Sequence, residues 1–166
     1  ANEDSVIKVK LKDSLKADSS TKEYITDLPK GGHWTRTIRI KDNSLYVSIG
    51  SSCNVCIEKD ERRASILKCD LGKCKIFARG IRNAVGFTFH PETNEIYATE
   101  NSRDYLGEDL PPDEINIVDE GKNYGWPICY GKNTHDTDFD KNVYIRNPCM
   151  EPFEMPSFVD IPAHSA

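Results

Sequence analysis

The segment from 53 to 63, CNVCIEKDERR, combines two closely spaced cysteines with a run of charged side chains. Thiols at this spacing can bind a metal, undergo thiol–disulfide exchange or close a loop. The six cysteines of the chain fall into three close pairs: Cys53 and Cys56, Cys69 and Cys74, and Cys129 and Cys149. An even number of cysteines in close pairs predicts disulfides in an oxidising compartment. We therefore expect a periplasmic or secreted protein.

A zinc site built from the first two cysteine pairs is the main alternative. Zinc knuckles favour two residues between paired thiols, whereas four residues separate Cys69 from Cys74. The residue after Cys56 is Ile57 and not the histidine of a c-type haem motif. Disulfides or buried free thiols are therefore the favoured interpretation, although the sequence leaves their connectivity open.

Composition limits the class of partner. The chain has 166 residues, 37% of them hydrophobic and 30% charged, with a formal net charge of −5 and no long basic block. These values predict one globular domain and make nucleic acid or an anionic membrane surface a poor partner, so a small neutral or cationic ligand fits better. No apolar run approaches the roughly 18 residues of a membrane span, and the polar start ANEDS has no signal-peptide core. We expect a mature or excised chain without a membrane span.

Short alternating apolar segments indicate antiparallel strands throughout the chain. They are VIKVKL at 6–11, TRTIRI at 35–40, SLYVSIG at 44–50, VGFTFH at 85–90, EIYATE at 95–100 and EINIVD at 114–119. Two of these regions repeat each other, because LYVS and IYAT lie about 51 residues apart inside similar surroundings. A period near 50 residues with about four strands is typical of a β-propeller blade. The sequence therefore predicts an all-β fold with about three four-stranded blades. The polar segment 131–148 is predicted to be a long surface loop that a Cys129–Cys149 disulfide would close.

The order of several motifs resembles the soluble quinoprotein sugar dehydrogenases, the glucose/sorbosone dehydrogenase family. The motifs are GGHWTRTIRI, LYVSIGSSCNVC, DERRASI, FARGIRNAVGFTFHP, TENSRD, PPDEINIV, NYGWP and IPAHSA. The family consists of six-bladed propellers that hold pyrroloquinoline quinone and calcium. The resemblance implies that residues 1–166 form the central part of one such propeller, whose N- and C-terminal blades lie outside this chain.

The resemblance also implies a catalytic base and a set of quinone contacts. His33 matches the histidine that removes the sugar hydroxyl proton, which is work for a group whose pKa lies near 7. Arg82 and Asn83 match the pair that contacts the quinone, and a guanidinium there can stabilise negative charge. Arg62 and Arg63 follow the CNVC loop and could reach the same face, although surface salt bridges are the commoner outcome for such runs.

Calcium sites are implied at two places. The main-chain carbonyls of Ser102 and Arg103 match those that hold the calcium on the quinone, and the acidic residue Glu114 with the backbone of Tyr124 matches a second, structural calcium site. This chain lacks the usual Gly-Pro at 102–103. It also has Gly32 and Ser51 where the glucose-oxidising members have aspartates.

The expected function is oxidation of a sugar by hydride transfer to calcium-bound pyrroloquinoline quinone, with electrons passed on to a separate acceptor. Two other functions remain open. A calcium-dependent lactonase on a propeller would need no quinone, and a non-catalytic propeller could bind a protein or glycan. The remaining blades, or a partner chain that supplies them, are the expected structural partners.

Overall fold

The computed structural model describes residues 1–12, 15–142, 147–150, 153–154 and 156–163. These residues form strands and no helix. The strands are β1 Ser5–Leu11, β2 Ala17–Asp27, β3 Ile38–Lys41, β4 Ser44–Ile49, β5 Ser65–Asp70, β6 Lys73–Arg79, β7 Phe87–Phe89, β8 Ile96–Glu100, β9 Asp113–Val118, β10 Cys129–Tyr130, β11 Thr134–His135 and β12 Phe158–Ile161. The prediction of an all-β fold is therefore confirmed.

Two four-stranded antiparallel sheets form the body of the structure. The first has the order β3-β4-β5-β6 and the second the order β7-β8-β9-β12. In each sheet the repeated motif occupies the second strand: LYVS lies in β4 and IYAT in β8. The repeat of about 51 residues thus corresponds to one blade of a partial β-propeller.

The strands β1 and β2 form a separate two-stranded hairpin. The described residues therefore contain two complete four-stranded sheets and this hairpin, where the sequence predicted about three blades. The repeat relates β2 to β6, because the segments EYITD and CKIFA are offset by the same period. The hairpin accordingly matches the last two strands of a blade.

The inner strands β4 and β5 of the first sheet are buried on both faces, as expected for a blade inside a propeller. Every residue of β4 is buried. Val47 and Ile49 pack toward the β1–β2 hairpin, in a cluster that includes Val6 and Leu28. On the opposite side Tyr46 packs with residues of the second sheet: Phe87, Ile96, Ala98 and Val118. The core is a set of apolar layers between successive sheets.

Main-chain hydrogen bonds join the loops that carry the predicted site residues. His33 N donates to Ser51 O at 2.9 Å, and Ser51 N donates to Arg82 O at 2.8 Å. Asn101 N donates to Asn83 O at 3.1 Å. The loops before β3 and β7 and those after β4 and β8 therefore meet at the same end of the two sheets.

The described part of the segment predicted to be a long loop contains β11, which pairs with β10 just before that segment. A longer element was missed at the end of the chain. Strand β12 pairs with β9 and completes the second sheet, although Asp113–Val118 and Phe158–Ile161 are far apart in sequence. Among the described residues no helix is long and apolar enough to cross a membrane.

Candidate functional site

A pocket of about 270 Å³ lies where these loops meet. Its lining residues come from four loops: Gly32, His33, Ser52, Cys53, Asn54, Arg82 and Asp104. Two of the residues predicted from the sequence, His33 and Arg82, are thus brought together. They approach from the loops that precede β3 and β7.

The hydrogen bonds of His33 define its neutral tautomer. Its Nδ1 lies 3.0 Å from both the carbonyl oxygen and the Oγ of Ser51. A carbonyl oxygen can only accept, and the Oγ of Ser51 donates its own hydrogen to Cys53 O at 2.6 Å. Nδ1 must therefore carry the proton, which leaves the lone pair of the neutral ring on Nε2. That nitrogen is the one able to take a proton from a ligand.

The surroundings of His33 keep this ring neutral. Burial lowers the pKa of His33 below its usual 6.5, and the positive charge of Arg82 lowers it further. The hydrogen bond to the Ser51 backbone and the more distant carboxylates of Asp104 and Glu58 act in the opposite direction. At neutral pH the imidazole is consequently available as a base.

Two glycines allow the close packing of the His33 loop. Gly32 has a φ of +66°, and a Cβ there would lie 2.5 Å from both the Ser51 carbonyl oxygen and the Ser52 Cα. A Cβ on Gly50 would lie 2.5 Å from the Cβ of His33. The aspartate that glucose-oxidising members have at position 32 therefore cannot be accommodated by this backbone. Ser51, at the position of the second missing aspartate, instead orients the imidazole.

Arg82 is buried, and its guanidinium is surrounded by oxygen acceptors. Nε donates to Asn54 O at 2.8 Å, and Nη1 donates to the carbonyls of Asn101 and Ser102 at 3.0 and 2.8 Å. Nη2 donates to Asn54 Oδ1 at 3.0 Å and to Asp104 Oδ2 at 3.4 Å. Protein oxygens thus account for all five guanidinium N–H groups. What Arg82 offers the pocket is a fixed positive charge.

Neighbouring acidic side chains balance this charge. Desolvation lowers the pKa of Arg82, while Asp104, Glu100 and Asp113 raise it. Glu100 Oε1 accepts the main-chain N–H of Arg82 at 2.7 Å. Asp113 Oδ1 accepts the N–H of Ser102 at 2.9 Å, which holds the neighbouring loop in place. A buried cation is tolerated here because acids surround it on several sides.

The other predicted quinone contacts lie outside the pocket lining. Arg62 forms salt bridges with Asp60 at 2.8 Å and Asp27 at 3.0 Å. Surface salt bridges are the commoner outcome for such arginine runs. Arg63 is buried and donates to the carbonyls of residues 30, 31 and 50, so it fixes the turn before His33. Asn83 is also buried, and its carbonyl accepts from Val85 N at 3.0 Å.

The two residues predicted to offer calcium-binding carbonyls are tied into the protein. The carbonyl of Ser102 accepts the bond from Arg82 Nη1, and its Oγ donates to Pro112 O at 2.6 Å. The Arg103 side chain is directed to Asp136, with Nε and Oδ2 2.7 Å apart. A guanidinium on the Ser102 carbonyl is poorly compatible with a second cation there, so this carbonyl does not fit calcium in the present arrangement.

Glu114 belongs to a buried cluster of oxygen-bearing side chains on β8 and β9. It lies directly opposite Glu100 in the sheet. Asn116 Nδ2 lies 3.3 Å from Glu114 Oε2 and 3.4 Å from Glu100 Oε2, whereas Asn116 Oδ1 is buried without a hydrogen-bond partner. Burial raises the pKa of Glu114 to about 7 and that of Glu100 well above its ordinary value. These donors are of the kind that calcium prefers.

Tyr124, the other residue predicted for this calcium, has a buried phenol that bridges the segment after β9. Its hydroxyl donates to Ile117 O at 2.7 Å and accepts from Asp119 N at 2.9 Å. Burial raises the pKa of Tyr124 to about 12. Tyr124 N donates to Arg79 O at 3.0 Å, which connects this segment to the first sheet. The described contacts of Tyr124 are therefore structural.

Comparison with known proteins assigns the chain to a family. The sequence profile of the family Glucose / Sorbosone dehydrogenase matches residues 68–160, which is more than half of the chain. The chain belongs to the glucose/sorbosone dehydrogenase family. An uncharacterized protein of Borreliella burgdorferi is 43% identical over 147 residues, which cover 84% of this chain and 37% of that protein.

Solved structures show the same fold as this glucose/sorbosone dehydrogenase family chain. The calcium structure of a Trichoderma reesei enzyme of carbohydrate-active family AA12 matches with a TM-score of 0.82 and 22% identity, over 99% of this chain and 52% of that chain. The PQQ-bound aldose sugar dehydrogenase of Streptomyces coelicolor matches with a TM-score of 0.67 and 18% identity, over 93% and 45%. The chain spans about half the length of these structures and about a third of the curated relatives it matches.

The cysteines of this family member form three disulfides: Cys53–Cys56, Cys69–Cys74 and Cys129–Cys149. The predicted closure of the polar loop by Cys129 and Cys149 is confirmed. Glu58 lies near the sulfurs of Cys53 and Cys56. A disulfide supplies no thiolate, so the zinc interpretation is not supported.

Sequence reasoning missed three residues of the pocket or its support. Asn54 and Asp104 hold Arg82, and Glu100 lies beneath it. Asn54 lies inside the CNVC motif, but its role depends on contacts with residues about 30 to 50 positions away. The one available signal was the buried acid in TENSRD, since a glutamate that ends an apolar strand is unusual.

Proposed function

We propose that the full-length protein oxidises a sugar hydroxyl or aldehyde and passes the hydride to pyrroloquinoline quinone. The observation that carries this proposal is the pairing, in one pocket, of an imidazole whose tautomer is fixed with a buried guanidinium. Membership of the glucose/sorbosone dehydrogenase family supports the same reaction class. The PQQ-bound Streptomyces coelicolor structure has the same fold.

The pocket residues fit the quinone by charge and by proton-transfer chemistry. Arg82 would hold it through a fixed positive charge that attracts its carboxylates, and His33 would contribute a neutral base. When bound, the quinone supplies the two-electron acceptor for the hydride of the sugar. Because Ser51 holds the proton of His33 on Nδ1, Nε2 takes the proton of the substrate hydroxyl.

Calcium would bind at Glu114 rather than at the Ser102 carbonyl. Glu114, Glu100 and the unpaired Oδ1 of Asn116 form a set of buried oxygen donors. A divalent cation there would stabilise the second sheet and its connection to the pocket loops. No catalytic step is assigned to calcium at Ser102, because Arg82 occupies that carbonyl.

We propose that residues 1–166 are the central part of a single six-bladed propeller. The β1–β2 hairpin supports this, because it matches only the last two strands of a blade. The remaining blades would be supplied by the rest of the protein or by a partner chain. Three disulfides favour a periplasmic or secreted location. A sugar is the proposed substrate and a separate electron acceptor the proposed redox partner.

Reconstitution of the full-length protein with the quinone tests the function. Dye reduction should be screened over aldoses and alcohols, with and without calcium, beside lactone hydrolysis in the absence of quinone. Quinone-dependent dye reduction with an aldose is expected. Lactone hydrolysis that needs calcium but no quinone would instead establish a lactonase. The absence of both activities in a protein that binds a glycan or protein would establish a binding propeller.

A further inference from the structure

The ring closed by the Cys53–Cys56 disulfide contains Asn54, which contacts Arg82 and Asp104 in the pocket. Asn54 lies between the two cysteines, and Cys53 itself lines the pocket. The Oγ of Ser51 donates to Cys53 O at 2.6 Å, so the ring is also anchored to the residue that orients His33. The CNVC motif is thus part of the pocket wall.

The side-chain amide of Asn54 pairs with the main chain of Asp104, in the way that two peptide groups pair in a β-sheet. Its Oδ1 accepts from Asp104 N at 2.7 Å, and its Nδ2 donates to Asp104 O at 3.1 Å. The same Oδ1 accepts from Arg82 Nη2 at 3.0 Å, and the main-chain oxygen of Asn54 accepts from Arg82 Nε at 2.8 Å. One residue therefore holds the guanidinium and the loop after β8 together.

These contacts depend on a fixed conformation of a short surface loop. Asn54 is half-buried. A loop without the disulfide would lose conformational entropy when Asn54 formed its four hydrogen bonds to Asp104 and Arg82. A disulfide removes part of that cost by restricting the loop beforehand. The Cys53–Cys56 ring encloses only a few residues, so its restriction acts locally on Asn54 and Val55.

We propose that Asn54 is the residue that positions Arg82, and that the Cys53–Cys56 disulfide holds Asn54 in place for this role. The disulfide is then a determinant of pocket geometry and more than a brace for a surface loop. Only its effect on the quinone rests on the function proposed above. The hydrogen-bonding role of Asn54 stands independently of the reaction catalysed.

The proposal implies that a dithiol reductant loosens the pocket. Thiol–disulfide exchange would oxidise the two thiols of the reductant to a disulfide, while Cys53 and Cys56 each gain one electron and one proton. Asn54 would then be released from the ring, and Arg82 would lose two of its acceptors. Double serine variants reproduce the open ring without reducing the other disulfides.

The test follows the hydrogen exchange of arginine Nε–H groups by NMR in the full-length protein. Cys53→Ser/Cys56→Ser and Asn54→Ala are compared with wild type, and Cys69→Ser/Cys74→Ser is the matched control because it opens a disulfide between facing residues of β5 and β6. The Nε–H of Arg62 is the internal reference, since it donates to Asp60 Oδ1 at 3.0 Å, within its own loop. An Arg82→Lys spectrum assigns the Arg82 signal.

We expect exchange at Arg82 to accelerate about tenfold or more in Cys53→Ser/Cys56→Ser, and less in Asn54→Ala, which keeps the main-chain acceptor. Asn54→Asp should restore slow exchange because it retains Oδ1. Exchange at Arg62 in every variant, and exchange at Arg82 in the control variant, should stay at wild-type values. Quinone titration should show weaker binding in the first two variants.

Unchanged exchange at Arg82 in Cys53→Ser/Cys56→Ser would overturn the proposal, as would equal acceleration in the control variant. If the wild-type protein binds no quinone, the proposed function fails. The exchange comparison still decides the role of Asn54 in that case.

Discussion

The loop that carries His33 and the loop that carries Arg82 occupy the same position in two successive repeats. In the first, Thr37 O accepts a main-chain bond at 3.0 Å from β4, and in the second, Gly86 O accepts one at 2.9 Å from β8. His33 and Arg82 each lie four residues before these matched acceptors. The repeat therefore places a base and a cation at equivalent sites on neighbouring sheets.

The partners of these two residues are equivalent as well. Ser51 and Ser102 are separated by the same period of about 51 residues. The carbonyl of Ser51 accepts from His33 Nδ1 at 3.0 Å, and the carbonyl of Ser102 accepts from Arg82 Nη1 at 2.8 Å. One backbone arrangement thus orients a neutral imidazole in one repeat and a charged guanidinium in the next.

The repeats differ beneath these side chains. The last residue of β4 is the buried apolar Ile49, whereas β8 ends in the buried acid Glu100, and Asp113 lies beside it on β9. Burial and the charge of Arg82 keep His33 neutral, and the acids make a buried arginine tolerable. The acids at the end of β8 and the start of β9 therefore allow the second repeat to bury a cation.

Removal of the His33 imidazole should have the largest effect on the rate of quinone reduction. In the full-length protein, the proposed function predicts that His33→Ala lowers the rate of quinone reduction by about 10²–10⁴-fold, the usual contribution of a positioned general base. Quinone affinity should be nearly unchanged. Stopped-flow reduction and quinone titration measure the two quantities, and His90→Ala, in a turn outside the pocket, is the control. If quinone affinity in His33→Ala fell as much as the rate of quinone reduction, the histidine would be a cofactor contact.

Loss of the cation should act on binding as well as on rate. Arg82→Gln should weaken quinone binding by about 1.5–3 kcal/mol, the value typical of an interaction with a charged group. The surface residue Arg62 serves as the control, since Arg62→Gln removes only exposed salt bridges. Titration of both variants with quinone separates them. Equal affinities would contradict the role of Arg82.

The pH dependence of activity should show that the charge of Arg82 in one repeat affects the pKa of His33 in the other. His33 is active as a base when neutral, so activity should fall as pH drops through its pKa, and the acid limb of kcat/KM should lie below 6.5. Arg82→Gln should move that limb to higher pH, because a nearby positive charge is removed. Rates measured between about pH 5 and 9 test this shift. An acid limb that does not move would mean that Arg82 and His33 are electrostatically independent.

The smallest effect is expected from the serine that orients the base. Ser51→Ala removes the Oγ acceptor 3.0 Å from Nδ1 but keeps the carbonyl, so the rate should fall only about 2–10-fold. Ser102→Ala keeps the carbonyl that Arg82 uses and is the matched control in the other repeat. A fall in rate as large as that of His33→Ala would show that the Oγ, and not the carbonyl, fixes the tautomer.

The strands with clear alternation were predictable from the sequence, and others were not. β8 alternates between buried and half-buried residues, and β4, which is buried throughout, follows from its repeat relation to β8. β12 was missed because its partner β9 lies about 40 residues earlier, and pairing at that distance leaves no periodic signal. β2 was missed as a strand because much of it is exposed.

The site was predictable only in part. The resemblance to the family identified His33 and Arg82, but adjacent arginines could not be told apart: Arg63 is buried against main-chain carbonyls, whereas Arg62 forms surface salt bridges. Asn54 acts through hydrogen bonds to residues far along the chain, for which a sequence has no signature. Which acceptors surround a buried cation is a property of tertiary structure.

The most direct test of the central claim is a single-turnover reaction of the quinone-loaded full-length protein with an aldose in the absence of oxygen. The account predicts that the absorbance of the bound quinone changes on mixing and that His33→Ala slows this change. It also predicts a primary isotope effect when deuterium replaces hydrogen on the carbon that is oxidised, since that hydrogen leaves as hydride. Bound quinone that no aldose reduces, or reduction at the same rate in His33→Ala, would contradict the account.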